Sequence, residues 1–350
     1  MIDTVIVKKE DKGNWLDEAA KLLKKNEVVA FPTETVYGLG GNALSKDAIS
    51  KIYKAKGRPS DNPLIVHIAD ISDLDILVSE IPEVAQILME KFWPGPLTLI
   101  FKKSDKVPAE VTGGLDTVAV RMPSHPVARQ LIRLSTVPVA APSANISGKP
   151  SPTSFEHVIN DLSGKVAAIV CGDVSRVGLE STVLDISSNP PMILRPGGIT
   201  FEMLSQVVES VAYDPAIVNM GEVDSLVPKS PGMKYRHYSP SAPVIVINGK
   251  DSDFVLALND LVKKSSFKSS EVGVLCSNGA GLQVVNYDVK KVGNYNDLDT
   301  VASNLFDALR YFDTRDVKVI YAQGFPLVGI GQAIMNRLNK ASGGNIINIK

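Results

Sequence analysis

The sequence predicts an α/β chain of two domains, a larger mixed α/β unit followed by a smaller domain with a parallel sheet. Three observations carry this. The chain has 350 residues, more than one typical domain. Short apolar runs alternate with amphipathic stretches along most of its length. Between about 213 and 241 that regularity lapses, and Pro215, Gly221, Pro228, Pro231, Gly232 and Pro240 punctuate the segment. This reads as an interdomain linker, of a length that is usually functional or disordered. The domains are then 1–212 and 242–350.

The elements follow in order. Residues 15–25 place Leu16, Ala19, Ala20, Leu22 and Leu23 at helical spacing. Residues 28–31 form a buried strand stopped by Pro32. The stretch Pro32-Thr33-Glu34-Thr35-Val36-Tyr37-Gly38-Leu39-Gly40-Gly41 reads as a hydroxyl-rich turn whose glycines permit positive φ. Ser45 is set to cap a helix carrying Ala48, Ile49, Ile52 and Tyr53, and Gly57 and Pro59 stand where it should end. Strands are expected at 64–68, 97–101, 118–121, 137–141, 167–170 and 181–186, with a helix closing at 87–92. In the second domain, strands at 244–247, 272–276 and 317–322 alternate with helices at 253–264, 297–312 and 332–341. That alternation implies a Rossmann-like parallel sheet.

Bulk properties exclude several classes. A net charge of −1 gives no global attraction to nucleic acid or membrane. Cys171 and Cys276 sit in separate apolar runs, as buried thiols do. Four histidines without HExxH or CxxC spacing argue against a protein-built zinc site. With neither a signal-peptide core nor an apolar run long enough for a bilayer, a cytoplasmic location and no membrane partner are expected. There is no GxxxxGK[ST] motif. Gly38 to Ala43 loosely fits G-x-G-x-x-A, but six residues and a proline separate it from the strand, so a dinucleotide fold is disfavoured.

What remains are polar groups where strands meet loops. Lys56 and Arg58 flank Gly57. Arg121 ends one strand and Arg195 another; a strand-end arginine costs desolvation unless an anion or an ion pair meets it. Ser143 and Asn145 lie in the small-residue run Ala140-Ala141-Pro142-Ser143-Ala144-Asn145. Gly178-Leu179-Glu180-Ser181-Thr182 opens a further strand with two hydroxyls. Each group has a plainer reading as a helix terminus, ion pair or polar turn. Together they suit an anionic, multiply hydrogen-bonded ligand, such as a nucleoside triphosphate beside a small acid. In the second domain, Gly279-Ala280-Gly281 and Gly329-Ile330-Gly331 read as ordinary loops rather than phosphate contacts.

In order and spacing, Pro32 to Leu39, Lys56-Gly57-Arg58-Pro59, Phe92-Trp93-Pro94-Gly95-Pro96-Leu97-Thr98, Arg121-Met122-Pro123 and Ala141-Pro142-Ser143-Ala144-Asn145-Ile146-Ser147-Gly148 resemble the YrdC-type threonylcarbamoyl-AMP synthases. His237-Tyr238-Ser239-Pro240 and the extra α/β domain resemble the longer, two-domain branch of that family. The resemblance implies a twisted α/β sheet with a concave, positively charged cavity. It implies a nucleotidyltransferase of tRNA modification that joins L-threonine, bicarbonate or CO2, and ATP into threonylcarbamoyl-adenylate. A separate transferase complex would pass the product to the adenosine beside the anticodon; direct tRNA binding is not expected.

Carried onto this sequence, the resemblance puts Thr35, His67, Arg121, Ala141 and Ser181 around threonine, with Arg121 clamping its carboxylate. Lys56, Arg58, Asn62, Thr117, Ser143, Ser151 and Arg195 would hold ATP, with Asn145 a donor in the wall. Lys56 and Arg58 are the expected catalytic pair, stabilising charge on phosphates and carbamate. Mg2+ would accompany the triphosphate, bound mainly by phosphate oxygens and water, without a protein cage. The stretch Ser230 to Tyr238, rich in donors and aromatics, would close over the cavity as a lid, with Ser230 and Tyr235 touching ATP. Two alternatives compete. A double-stranded RNA-binding module would need more net positive charge. A carbamoyl-transfer enzyme of hydrogenase maturation would carry zinc-finger and acylphosphatase-like segments that this chain lacks.

Overall fold

A computed structural model describes residues 2–10, 14–218 and 237–349; Ser230 and Tyr235 lie outside these. The first domain is built on an eleven-stranded mixed sheet. From edge to edge its strands are Val5–Val7, Ala168–Val170, Val29–Phe31, Gly38–Asn42, Val139–Ala140, Ile65–His67, Thr117–Arg121, Leu97–Lys102, Thr182–Asp185, Met192–Arg195 and Ala212–Tyr213. The second sheet runs Asp288–Lys291, Val272–Cys276, Val319–Gly324, Val244–Asn248, Ile346–Asn348, and all its pairings are parallel, as the alternating pattern requires. No helix among the described residues is long and apolar enough to cross a membrane. Cys276 is buried, whereas Cys171 is only half-buried.

Side-chain alternation sets the two faces of the large sheet. Leu64, Val66, Val118, Val120, Leu99 and Phe101 point into the main core. Ile65 and Ala119, a register pair, lie in a smaller cluster on the opposite face, with Ile100, Val183 and Leu194. Two residues further along, the same alternation and register set His67 beside Arg121. A polar pair thus continues an apolar face.

Local signals hold where predicted. The helix Lys46–Lys56 is capped by Ser45, whose hydroxyl accepts from the Ala48 amide, and is closed by Gly57 in the left-handed conformation. The glycine run is the main correction. Gly38–Asn42 is a strand, antiparallel to Val29–Phe31 and Val139–Ala140, and not a turn. Its glycines serve close approach rather than positive φ. A Cβ on Gly40 would stand 2.6 Å from both Phe31 and Val139 side chains. The expected linker also starts later than position 213. Ala212–Tyr213 pairs with Met192 and Ile193, Pro215–Val218 is helical, and Ile217 packs into the first core.

The two domains share an apolar core. Val36 and Leu179 of the first pack with Tyr238 and with Leu305, Phe306 and Leu309 of the second. Arg310, on the helix Leu298–Tyr311, donates to the Pro150 carbonyl at 2.6 Å and to Asp161 at 2.7 Å across the boundary. At Gly178, φ is +74°, and an added Cβ would lie 2.3 Å from Ser303 Cα. There the backbones of the two domains touch.

Candidate active site

A cavity opens over the polar extension of the sheet face. Thr35, Arg58, His67, Arg121, Ala141, Ser143, Asn145, Ser151, Ser181 and Arg195 all line it. Register explains how residues so distant in sequence meet. Arg121 pairs with His67 on one side and Thr98 on the other. Thr98 pairs in turn with Val183, and its hydroxyl lies 2.7 Å from that of Ser181. Arg195 then donates to the Ser181 carbonyl at 3.1 Å and to its hydroxyl at 3.2 Å.

Arg121 is buried and already partnered. It donates to Glu34 at 2.6 Å, to the Thr35 hydroxyl at 2.9 Å and to the Gly95 carbonyl at 3.2 Å. Three of its five N–H groups are thereby engaged, and the other two have no partner among the described residues. Burial would raise the Glu34 carboxyl, but the Arg121 charge and a backbone hydrogen bond from Ser124 hold it below its ordinary value. His67 is pressed down to about 3 by burial and by the Arg121 charge, so its imidazole is neutral at physiological pH. Arg195 is lowered to about 10 by burial and stays cationic at neutral pH.

Two expected ligand groups are spent on shaping the wall. Lys56 does not reach the cavity. Its ammonium donates to the Ser143 carbonyl, to the Asn145 carbonyl at 2.7 Å and to the Asn145 Oδ1 at 3.4 Å. Burial and the Arg58 charge push its pKa well down, and those three acceptors favour the charged form. Asn145 lines the cavity, yet both hydrogens of its Nδ2 go to loop carbonyls, Ile146 at 2.8 Å and Lys149 at 3.0 Å. It is therefore a loop organiser rather than a free donor in the wall.

Asn62 and Thr117 lie outside the lining. Thr117 begins the strand that Arg121 ends. Asn62 is fully buried, and neither atom of its side-chain amide has a hydrogen-bond partner among the described residues. Such a group costs roughly 1–3 kcal/mol unless something satisfies it. Of the proposed lid, the described part does form cavity wall: His237 and Tyr238 line it. Next to them, Ser239 donates its amide to the Gly148 carbonyl at 3.0 Å and its hydroxyl to the Ala341 carbonyl at 3.2 Å.

Sequence reasoning gave no role to two carboxylates inside its own motifs. Glu34 partners Arg121. Glu180 lines the cavity, accepts from the Ser151 hydroxyl and meets Arg337 of the second domain at 3.0 Å. A single acid within an apolar, hydroxylated run is the mark of a buried, paired charge, and both had that mark. Their partners, 87 and 157 residues away, did not show in it.

Two family models cover most of the chain. The Sua5/YciO/YrdC model, described as "Telomere recombination", matches residues 21–197, and "Threonylcarbamoyl-AMP synthase, C-terminal domain" matches 199–343. The threonylcarbamoyl-AMP synthase of Pyrococcus abyssi is 50% identical over 95% of both chains. This chain belongs to the threonylcarbamoyl-AMP synthase family. The Bacillus subtilis family member is 52% identical over 94% of this chain and 93% of its own. A crystal structure of Pyrococcus abyssi Sua5 complexed with L-threonine matches with a TM-score of 0.91 at 47% identity, covering 99% of each chain. The family fold thus includes both domains, and membership makes the chain a nucleotidyltransferase.

Proposed function

We propose that this chain forms threonylcarbamoyl-adenylate and pyrophosphate from L-threonine, bicarbonate or CO2, and ATP, supplying a separate complex that modifies the adenosine beside the tRNA anticodon. The carrying observation is a single cavity in which Arg58, Arg121 and Arg195 face hydroxyls and a neutral histidine, in a chain half identical to two curated threonylcarbamoyl-AMP synthases. The relative solved with L-threonine supports the amino-acid half of the reading.

The chemistry asks mainly for positioning. The threonine amine captures CO2 in its unprotonated form, and the carbamate oxygen attacks the α-phosphorus in line while pyrophosphate leaves. Arg121 uses its two unspent N–H groups on the threonine carboxylate, while Glu34 and Thr35 fix its plane. His67, neutral and with its Nδ1 3.3 Å from the Ile65 carbonyl, adds no charge beside that clamp. Arg58 and Arg195 face the nucleotide's phosphates. Lys56 contributes by holding the Ser143–Asn145 loop. The labile carbamate needs exclusion of water, and the wall formed by His237 and Tyr238 serves that need.

Hydrogen-bond direction refines one assignment. Ser151 donates its hydroxyl proton to Glu180, so it presents lone pairs to a ligand. It therefore suits a ribose hydroxyl or the adenine amino group and not a phosphate oxygen. Glu180 spends one oxygen on Ser151 and the other on Arg337. Mg2+ would accordingly be held by phosphate oxygens and water, with no carboxylate cage; its role when bound is to offset triphosphate charge.

The test is pyrophosphate release measured with each of ATP, threonine and bicarbonate omitted in turn. Dependence on all three is expected. ATP hydrolysis indifferent to threonine would overturn the reading. Limited proteolysis within 228–240 tests the lid: protection by ATP plus threonine is expected, and unchanged cleavage counts against it.

A further inference from the structure

The second domain reaches into the cavity wall through one fully buried residue, Arg337, on the helix Gly331–Ser342. Its Nε donates to Glu180 Oε2 at 3.0 Å, and its Nη1 donates to the Pro196 carbonyl at 2.9 Å. Its guanidinium also lies over the Tyr238 ring, 5.6 Å from the centroid. Glu180, Tyr238 and Arg195, the neighbour of Pro196, all line the cavity. Arg337 therefore touches three separate pieces of the wall without lining it.

Charge explains why such a residue is needed. Glu180 is a carboxylate lining a cavity that must accept a triphosphate. Left alone, it would repel the ligand. Burial would raise its pKa, but Arg337 and then Arg195 hold it down to about 2, so it is ionised at working pH. Glu180 is not dispensable either, because it takes the Ser151 proton.

We propose that Arg337 is a positioning residue for the first domain's reaction: it neutralises Glu180 from the second domain, so that this cavity-lining carboxylate does not repel the nucleotide's phosphates. This rests on the reading above that ATP occupies the cavity. It gives the second domain a part in nucleotide binding, beyond that of a docked appendage.

The full-length wild type is compared with Arg337→Met, Arg337→Lys and the double variant Arg337→Met/Glu180→Gln. ATP affinity is measured by calorimetric titration, and KM and kcat by threonine-dependent pyrophosphate release. Arg337→Met should weaken ATP binding about tenfold or more, raising KM more than it lowers kcat. Arg337→Lys, which keeps the charge and loses the fork, should fall between it and wild type. The double variant carries neither charge, so it should fold even where Arg337→Met does not. It should recover ATP affinity to within about threefold of wild type. A folded double variant that binds ATP as poorly as Arg337→Met overturns the proposal. So does an Arg337→Met protein that melts lower yet binds ATP normally, since that is a structural strut. If wild type binds ATP but shows no threonine-dependent turnover, the assigned reaction fails while the titrations still decide the role of Arg337. If wild type binds no ATP, both fall.

Discussion

Among the described residues, a polar cluster sits on each α/β sheet, and the one on the first lines a cavity. In the second domain, the carboxyl ends of Val244–Asn248, Val272–Cys276 and Val319–Gly324 meet as a parallel sheet's ligand crevice would. Ser277, Asp251 and Gln323 sit there, but they satisfy one another. The Ser277 hydroxyl donates to Asp251 at 2.6 Å, and the Ser277 amide donates to Gln323 at 2.8 Å. Gln323 Nε2 donates to Asp251 at 3.1 Å and to the Gly249 carbonyl at 3.2 Å. In the first domain, by contrast, Arg121 lines the cavity with two N–H groups that have no partner among the described residues. Topology nominates both places; unspent hydrogen-bonding capacity selects one.

Four perturbations can break or sharpen this contrast. The largest effect is expected from Arg121→Ala. Losing the clamp should cost about 10²–10³-fold in threonine-dependent turnover. It also strands buried Glu34, lowering stability by about 3–5 kcal/mol. Kinetics at low threonine, read beside a denaturant melt, separate the two losses; wild-type turnover there would remove Arg121 from the site.

Asn62→Leu should act in opposite directions on stability and binding. Removing an unsatisfied buried amide should stabilise the free chain by about 1–3 kcal/mol. If the nucleotide reaches this amide despite its place outside the cavity lining, ATP affinity should nevertheless fall about tenfold. If affinity and stability both drop, Asn62 is structural.

Gln323→Ala probes the closed cluster. It should lower stability by about 1–3 kcal/mol and leave KM for ATP and threonine unchanged. A shifted KM would mean that the second crevice is functional after all.

The fourth perturbation is a change of pH. His67 and His237 are both pressed to about 3, chiefly by burial, from an ordinary value of 6.5. Between those values the unfolded chain binds more protons than the folded one, so stability rises with pH across that window. Melting temperature should be level above pH 7 and decline as pH falls from 6.5 toward 3, and His237→Gln should flatten part of that decline. A melting temperature independent of pH in this window would mean that neither ring is held neutral.

Much of this was legible in the sequence because it was local. Ser45 and Gly57 announced the ends of one helix, and apolar runs ending in Arg121 and Arg195 announced cations at the strand ends. What escaped was decided by tertiary partners. Gly38–Asn42 has a turn's composition, yet is a strand because Phe31 and Val139 leave room for nothing larger at Gly40. Lys56 and Arg58 look equivalent in Lys56-Gly57-Arg58, but only Arg58 reaches the cavity, since Lys56 is drawn to the carbonyls of Ser143 and Asn145. Glu180 carried no visible role until a residue from the other domain stood beside it.

Gly178 offers a handle of another kind. Main chain meets main chain there, so a methyl group has nowhere to go, and the positive φ adds its own penalty. Alanine at this position would act as a wedge, prising the halves apart without altering a single charge. It would let the mechanical contribution of docking be dosed independently of any electrostatic one.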